Sequence, residues 1–511
     1  MTLAPLAVAA TVTPAHHEFS GFVYEARDGV SYVAKATEGL QGRWGYHDPY
    51  TTETQPQTLI YLPYLLLGQL DRLPRLPLAV VIQAARVGLA IALLWATWRV
   101  VGAAWAEPGR RRLGFLLVLL GGGIGALTGS HRDIFGYHYV SLDVSVSGTV
   151  GMETLNLAPH ILLTCLGSAY LALLWVRQET SPSRGNVLAA GAWSLLISSA
   201  YPQVAVLWGA VGVVAWAVSR RREAVAMATA IGLGAAPYAV YGLYLRQSNP
   251  VFKSWPPQGD IDVGDPLSFL LFGHLLMLPF VALALRTLWR RRVTLRAGLG
   301  VTGICAVWLV VATVLMYLPG LPSIMHRLYY GSFIPFGVLA ADGLWTWSRV
   351  RPRPSRRRLV YPAMLMCLAG AWAVGEGIAI PLLHRDDLAL YFPSDEATVL
   401  RTLARDHPTG GGSVMNSFVS GLFVPGLSAH DTYIGFPFET LDVAHKNAVT
   451  ERIYRSTDAV EVRRLVAGTG VSYLLWGRYE AGFGGQDPGA LAGWPVVARS
   501  GEARVYAVAS P

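Results

Sequence analysis

Apolar stretches of about 20 residues recur along this chain, each long enough to cross a bilayer as a helix, and arginine clusters fill every second gap between them. The clearest stretches cover residues 78–101, 157–176, 224–245, 267–288, 297–318, 328–347 and 359–380. Less regular ones lie between them: 113–127 is rich in glycine, and 187–218 is long enough for two short helices turning at Tyr201-Pro202. Only 14% of the 511 residues are charged and 53% are hydrophobic, against roughly 25% charged in an ordinary soluble domain. Backbone in lipid must satisfy its own hydrogen bonds, so the pattern predicts an α-helical polytopic membrane bundle of about 10 to 11 transmembrane helices.

The gaps fix the orientation. Arg110-Arg111-Arg112, Arg220-Arg221-Arg222, Arg290-Arg291-Arg292 and the run 349–358 belong on the cytoplasmic side. The alternate gaps 16–58, 128–156 and 246–266 carry more acids than bases, and 319–327 holds the single Arg327; all four belong outside. Residues 1–380 are therefore expected to form the membrane domain of a multi-pass cell-membrane protein. Its first outer loop, 14–76, carries interfacial helices, and its second spans 128–156. Residues 381–511 follow as an extracytoplasmic domain. The net charge of +9 is dispersed over cytoplasmic connections rather than gathered on one face, which excludes nucleic acid as a partner. Cys165, Cys305 and Cys367 all fall in apolar stretches, so no outer disulfide framework exists. The strong preference for Arg over Lys points to a GC-rich bacterial genome. Residues 3–12 are apolar, too short to span and a poor signal peptide; they read as the remnant of a truncated first helix.

Within the first loop, Tyr32, Ala36 and Leu40 share one side of a helix expected to lie on the membrane surface. The apolar piece 59–70 follows Pro56 and is broken by Pro63, so it is expected to be interfacial or re-entrant. If it spanned, every later arginine cluster would face outward. Beyond residue 380 the composition becomes that of an α/β domain. Helix signals start at Ser394 and near Val460, and strands are predicted at 413–416, 471–476, 496–499 and 505–508.

The motifs of soluble phosphate, zinc-protease and dithiol chemistry are absent, so chemistry has to come from the outer loops. Asp28 stands at the start of the expected surface helix, level with lipid headgroups, where a carboxylate can take a proton from an acceptor hydroxyl; equally, it can cap the helix. Arg327 can grip a phosphate with two parallel hydrogen bonds, beside His326 and Tyr329, or simply snorkel to the headgroups. His131-Arg132-Asp133 is a charged cluster in the second loop, a sugar or phosphate contact or a solvated turn. His47 and Asp48, with Glu153 or Asp133, are weak candidates for a divalent cation. No other cofactor is implied. Arg86, Asp342 and Glu376 fall inside apolar stretches, where a charge is costly and faces the bundle interior or an aqueous path.

Taken together, Asp28-Gly29-x-x-Tyr32, then Pro56 and an interfacial run, then a span with Arg86, resemble the C-type superfamily of polytopic glycosyltransferases. The resemblance continues in Glu153 followed by Asn156, Pro159 and His160, in Asn249-Pro250 to Trp255-Pro256-Pro257, in Arg327 before Pro335, and in Gly470-Val471-x-Tyr473 with Val505-Tyr506 at the end. It implies transfer of a hexosyl or pentosyl unit from a polyprenyl-phosphate donor to an envelope glycan, lipid or protein. Asp28 would be the base and Glu153 a second acid binding the acceptor or a cation, with Tyr32, Arg132, His326 and Arg327 as substrate contacts. This sequence lacks the adjacent pair of acids that many members carry in the first loop. Two other functions fit the same chain: a transporter or flippase of a lipid-linked saccharide, for which Arg86 and Glu376 matter most, and a non-catalytic assembly protein.

Overall fold

The computed structural model describes residues 2–124, 132–134, 137–139, 148–254, 271, 273–290, 298–316, 318, 327–349, 356–408 and 412–508. Among them, the helices Leu78–Ala104, Pro159–Thr180, Pro202–Ser219 and Arg222–Ser248 and the interrupted run Leu359–Leu383 are long and apolar enough to cross a membrane. The chain is a multi-pass membrane protein. Further apolar helices, Arg184–Ala200 and Gly300–Met316, have 17 residues each and Phe333–Ser348 has 16. At 1.5 Å per residue such helices reach only about 25 Å, short of a hydrocarbon core of about 30 Å.

Local chemistry explains the turns that matter for the site. Pro202 cannot continue the preceding helix, and it holds Tyr201 extended at φ −140° and ψ 91° before opening the next helix itself. Pro159 opens its helix in the same way, leaving His160 in the first turn. The bundle core is built around Trp175, Trp208 and Trp308, all fully buried. The Trp208 indole donates to Ser168 Oγ at 3.1 Å, which satisfies the one polar atom of a large apolar side chain.

The C-terminal part holds a five-stranded mixed sheet in the order Asp431–Thr432, Ser413–Met415, Tyr473–Trp476, Ala503–Ala507, Val496–Ser500. The first three strands run parallel and the last two form an antiparallel hairpin. Helices Val443–Arg455 and Ala459–Ala467 make the crossover between parallel strands, as such pairs require. This module is tied to the first loop. Strand His17–Phe19 pairs with Tyr391–Pro393, and one apolar cluster joins Phe22, Ala26, Val30 and Ala34 to Tyr391, Leu400, Val414 and Val505. The loop helix therefore lies beneath the C-terminal module as well as beside the bundle, where the sequence predicts a helix resting on the membrane surface. The cover comes from residues more than 350 positions away.

Inside the module, Glu396 and Glu480 are both fully buried. Burial and the neighbouring Glu480 push the Glu396 carboxyl up to about 8, despite a 2.7 Å hydrogen bond from the Arg478 backbone N–H. A carboxyl whose pKa is raised by folding favours the folded state while it stays protonated. Stability should therefore be fullest below about pH 4 and be lost as pH rises toward 8, at up to about 1.4 kcal/mol per pH unit. Thermal melts of Glu396→Gln are expected to lose much of that slope between about pH 4 and 8, the buried Glu480 keeping the rest, and an unchanged slope would refute the assignment.

Candidate active site

Asp28 lies in the first turn of the helix Ala26–Leu40. It does not cap it: the preceding position is Glu25, held left-handed at φ 48°, a conformation that costs a non-glycine residue about 1–3 kcal/mol. The next helix, Leu62–Asp71, also starts from a left-handed residue, Tyr61 at φ 54°. Its 10 residues are too few to span, in keeping with an interfacial piece. The two helices cross with backbones almost touching, because Gly39 faces the Leu65 carbonyl and Gly68 faces the Ala36 carbonyl. That close crossing brings Tyr64 flat against Tyr32, with ring centres 4.5 Å apart and planes 5° from parallel.

An aromatic wall continues from there. The Tyr64 hydroxyl is 2.6 Å from His160 Nδ1, and His160 Nε2 is 2.6 Å from the Tyr201 hydroxyl. Tyr201 meets Tyr330 edge-on at 4.9 Å, and the Arg327 guanidinium lies 5.1 Å from the Tyr201 ring centre. Lys35, one turn-pair along from Asp28, is 1% exposed and ion-paired at 2.8 Å with Glu439 of the C-terminal module. Its ammonium also sits 4.5 Å from the Tyr61 ring centre. Burial pushes the Asp28 carboxyl above the usual range; Lys35 pulls it back, Glu439 adds to the rise, and Arg327 pulls it back again. A carboxylate and two cations thus act on one another beside a wall of tyrosines.

The structure brings together three of the residues singled out from sequence, Asp28, Tyr32 and Arg327. Glu153 belongs to a neighbouring group: it acts on Tyr24 together with Glu376 and Arg86, and the Tyr24 hydroxyl donates to the Ala373 carbonyl at 2.5 Å. Arg86 donates to the Leu155 carbonyl at 2.8 Å and the Thr2 carbonyl at 3.1 Å, and also to Gln83. Asp342 pairs with Arg110. His326, His131 and the side chains of Arg132 and Asp133 lie outside the described residues.

The weak cation candidates do not converge. His47 Nε2 is 3.2 Å from Asp431, whereas Asp48 is fully buried and accepts from the Tyr50 backbone N–H at 2.9 Å. Among the described residues no group of three His, Cys, Asp or Glu is placed to hold a metal ion.

Sequence reading missed Lys35, Tyr64, His160 as a bridging ring, Tyr201 and Glu439. For Lys35 a signal existed: Asp28, Tyr32 and Lys35 are spaced i, i+4, i+7, one helix face. Glu439 carries no such mark, being in a connection far from the loop it meets. Between this cluster and Arg86 lies a small cavity of about 20 Å³, lined by Leu6, Tyr24, Tyr32, Ile82, Arg86 and Asn156 among others, room for about one water molecule.

The fold is that of the polytopic C-type glycosyltransferases, the class that the sequence resembles. Along 99% of its length the chain is similar to ArnT from Cupriavidus metallidurans bound to undecaprenyl phosphate, of which 97% is covered, with 14% identity and a TM-score of 0.51. The archaeal oligosaccharyltransferase AglB from Archaeoglobus fulgidus, in complex with an inhibitory peptide and a dolichol-phosphate, is similar over 93% of this chain and 68% of its own, with 10% identity and a TM-score of 0.47. At such identities the likeness is one of fold. No protein-family model matches the sequence, and no curated protein matches it.

Proposed function

We propose that the protein is an inverting membrane glycosyltransferase, moving a hexosyl or pentosyl unit from a polyprenyl-phosphate donor to an acceptor hydroxyl on the extracytoplasmic face of the cell membrane. The observation that carries this reading is the Asp28 carboxylate set within electrostatic reach of Lys35 and Arg327. An acceptor oxygen attacks the anomeric carbon while Asp28 takes its proton. The bond from that carbon to the phosphate oxygen breaks, and the phosphate leaves with the electron pair toward Arg327. The sugar stacks on the tyrosine wall, and the lipid tail stays in the bilayer beside it. The C-terminal module closes the site from above, its Glu439 holding Lys35 in place, and helps to position an envelope glycan, lipid or protein as acceptor.

Arg327 supplies positive charge where the phosphate leaves, while Lys35, paired with Glu439, acts on Asp28; transfer is proposed to run without a divalent cation. Purified protein incubated with a panel of labelled polyprenyl-phosphate sugars is expected to move label from one of them to a water-soluble or lipid acceptor. The rate should be unchanged by EDTA. Failure with every donor would sink the enzymatic reading, and loss of activity on chelation, restored by a divalent ion, would sink the metal-independent form.

The transport reading finds less support. Of the two residues on which it depends, Arg86 is engaged by two backbone carbonyls and Gln83, while Glu376 acts on Tyr24 beside Glu153.

A further inference from the structure

The helices Leu78–Ala104 and Pro159–Thr180 both run away from the Asp28 cluster. From Arg86 to Arg99 is 13 residues and from His160 to Arg177 is 17, or about 20 to 25 Å of helix. At that far end Arg99 and Arg177 meet Arg111, from the helix Pro108–Leu120. The three line a pocket of about 320 Å³ with Gly102, Leu173 and Val176.

Arg111 is half-buried, while Arg99 and Arg177 stay exposed at the mouth of the pocket. The Arg111 guanidinium stacks 3.8 Å from the Trp98 ring centre, and Arg99 lies 5.1 Å from that of Trp95. Trp98 is itself fixed edge-on against Phe115 at 5.3 Å. Arg111 Nε is buried without a hydrogen-bond partner. Nearby, Arg110 pairs with Asp342 and Arg349 with Glu107, yet among the described residues no carboxylate pairs with Arg99, Arg111 or Arg177. Three like charges brought to one pocket repel one another, and an anion with several oxygens would relieve that repulsion while filling guanidinium donors two at a time. The apolar wall of Leu173 and Val176, and the flanking tryptophans typical of the membrane interface, suit an anion that carries acyl chains rather than a soluble one.

We infer that Arg99, Arg111 and Arg177 form a binding site for the phosphate headgroup of an anionic phospholipid, on the membrane face opposite Asp28. Native mass spectrometry of the purified full chain in detergent tests it, with phosphatidylglycerol, phosphatidylcholine or inorganic phosphate added. The wild type is expected to retain one phosphatidylglycerol in preference to phosphatidylcholine. The triple variant R99Q/R111Q/R177Q should weaken that retention on the order of 100-fold, about fivefold per arginine.

Gly102→Ala gives a second handle, should the triple variant fail to fold. A Cβ there would lie 2.8 to 3.0 Å from the Arg111 guanidinium and displace it, while alanine favours the helix. It should weaken retention severalfold at an unchanged melting temperature. Equal retention by the wild type and a folded variant would overturn the site. Complete displacement of the lipid by inorganic phosphate would overturn its assignment to a lipid.

Discussion

Asp28→Asn is expected to slow sugar transfer by about 10²- to 10⁴-fold, the usual contribution of a positioned general base, with donor binding retained. The amide keeps the volume of the side chain and its place in the first helical turn, but it cannot accept the proton. The pH dependence carries the same prediction with a definite sign. The active form is the carboxylate, so the wild-type rate falls as pH drops through the Asp28 pKa. Burial raises that value, which puts the acid limb of kcat/KM above the ordinary carboxylate value of about 4. Lys35→Met removes a cation that pulls the value down, and it should move the limb further toward neutral pH. Asp28→Asn should show no such limb. A variant with parental rate and an unchanged limb would place the base elsewhere.

The second large effect concerns stability. Glu439→Gln is expected to cost about 3–5 kcal/mol, because it leaves the Lys35 ammonium buried without its counter-charge. Both side chains of the pair are 1% exposed. The carboxylate also accepts hydroxyl bonds from Tyr46 at 2.9 Å and Tyr61 at 3.0 Å, so it ties the C-terminal module to the first loop at three points. Thermal or denaturant unfolding should show the loss, and limited proteolysis should cut the loop earlier. The double variant Lys35→Met/Glu439→Gln should recover much of the stability, since a neutral, well-filled pair avoids the desolvation of both charges. Removing Glu439 also removes a charge that raises Asp28. Its acid limb should therefore move to lower pH, opposite to that of Lys35→Met. Equal stability of Glu439→Gln and wild type would show that the pair holds nothing together.

What the sequence revealed follows from which forces are local. Hydropathy marks a helix wherever some 20 residues must lie in lipid, and Pro202 announces its own turn, so the five long apolar helices among the described residues and the Tyr201 corner were readable. The strands at 473–476 and 496–500 were readable too, from short β-branched and aromatic runs between glycine turns. His17–Phe19 and Tyr391–Pro393 were not, because three residues are too few for alternation to show.

The amphipathic helix Ala26–Leu40 announced an apolar face but not what covers it. A lipid surface and a protein module ask for the same residues. Arg327 and Glu439 reach Asp28 only through tertiary packing across some 300 and 400 positions, and no periodicity encodes such meetings. Lys35 alone was within local reach, on the helix face that Asp28 and Tyr32 define.

The most direct measurement follows the fate of the donor in proteoliposomes that hold a labelled polyprenyl-phosphate sugar in one leaflet and an acceptor on the same side. Label passing to the acceptor, with bare polyprenyl phosphate left behind, is the result expected of a carboxylate working between two cations. Intact donor arriving in the opposite leaflet, with no label on any acceptor, would contradict it.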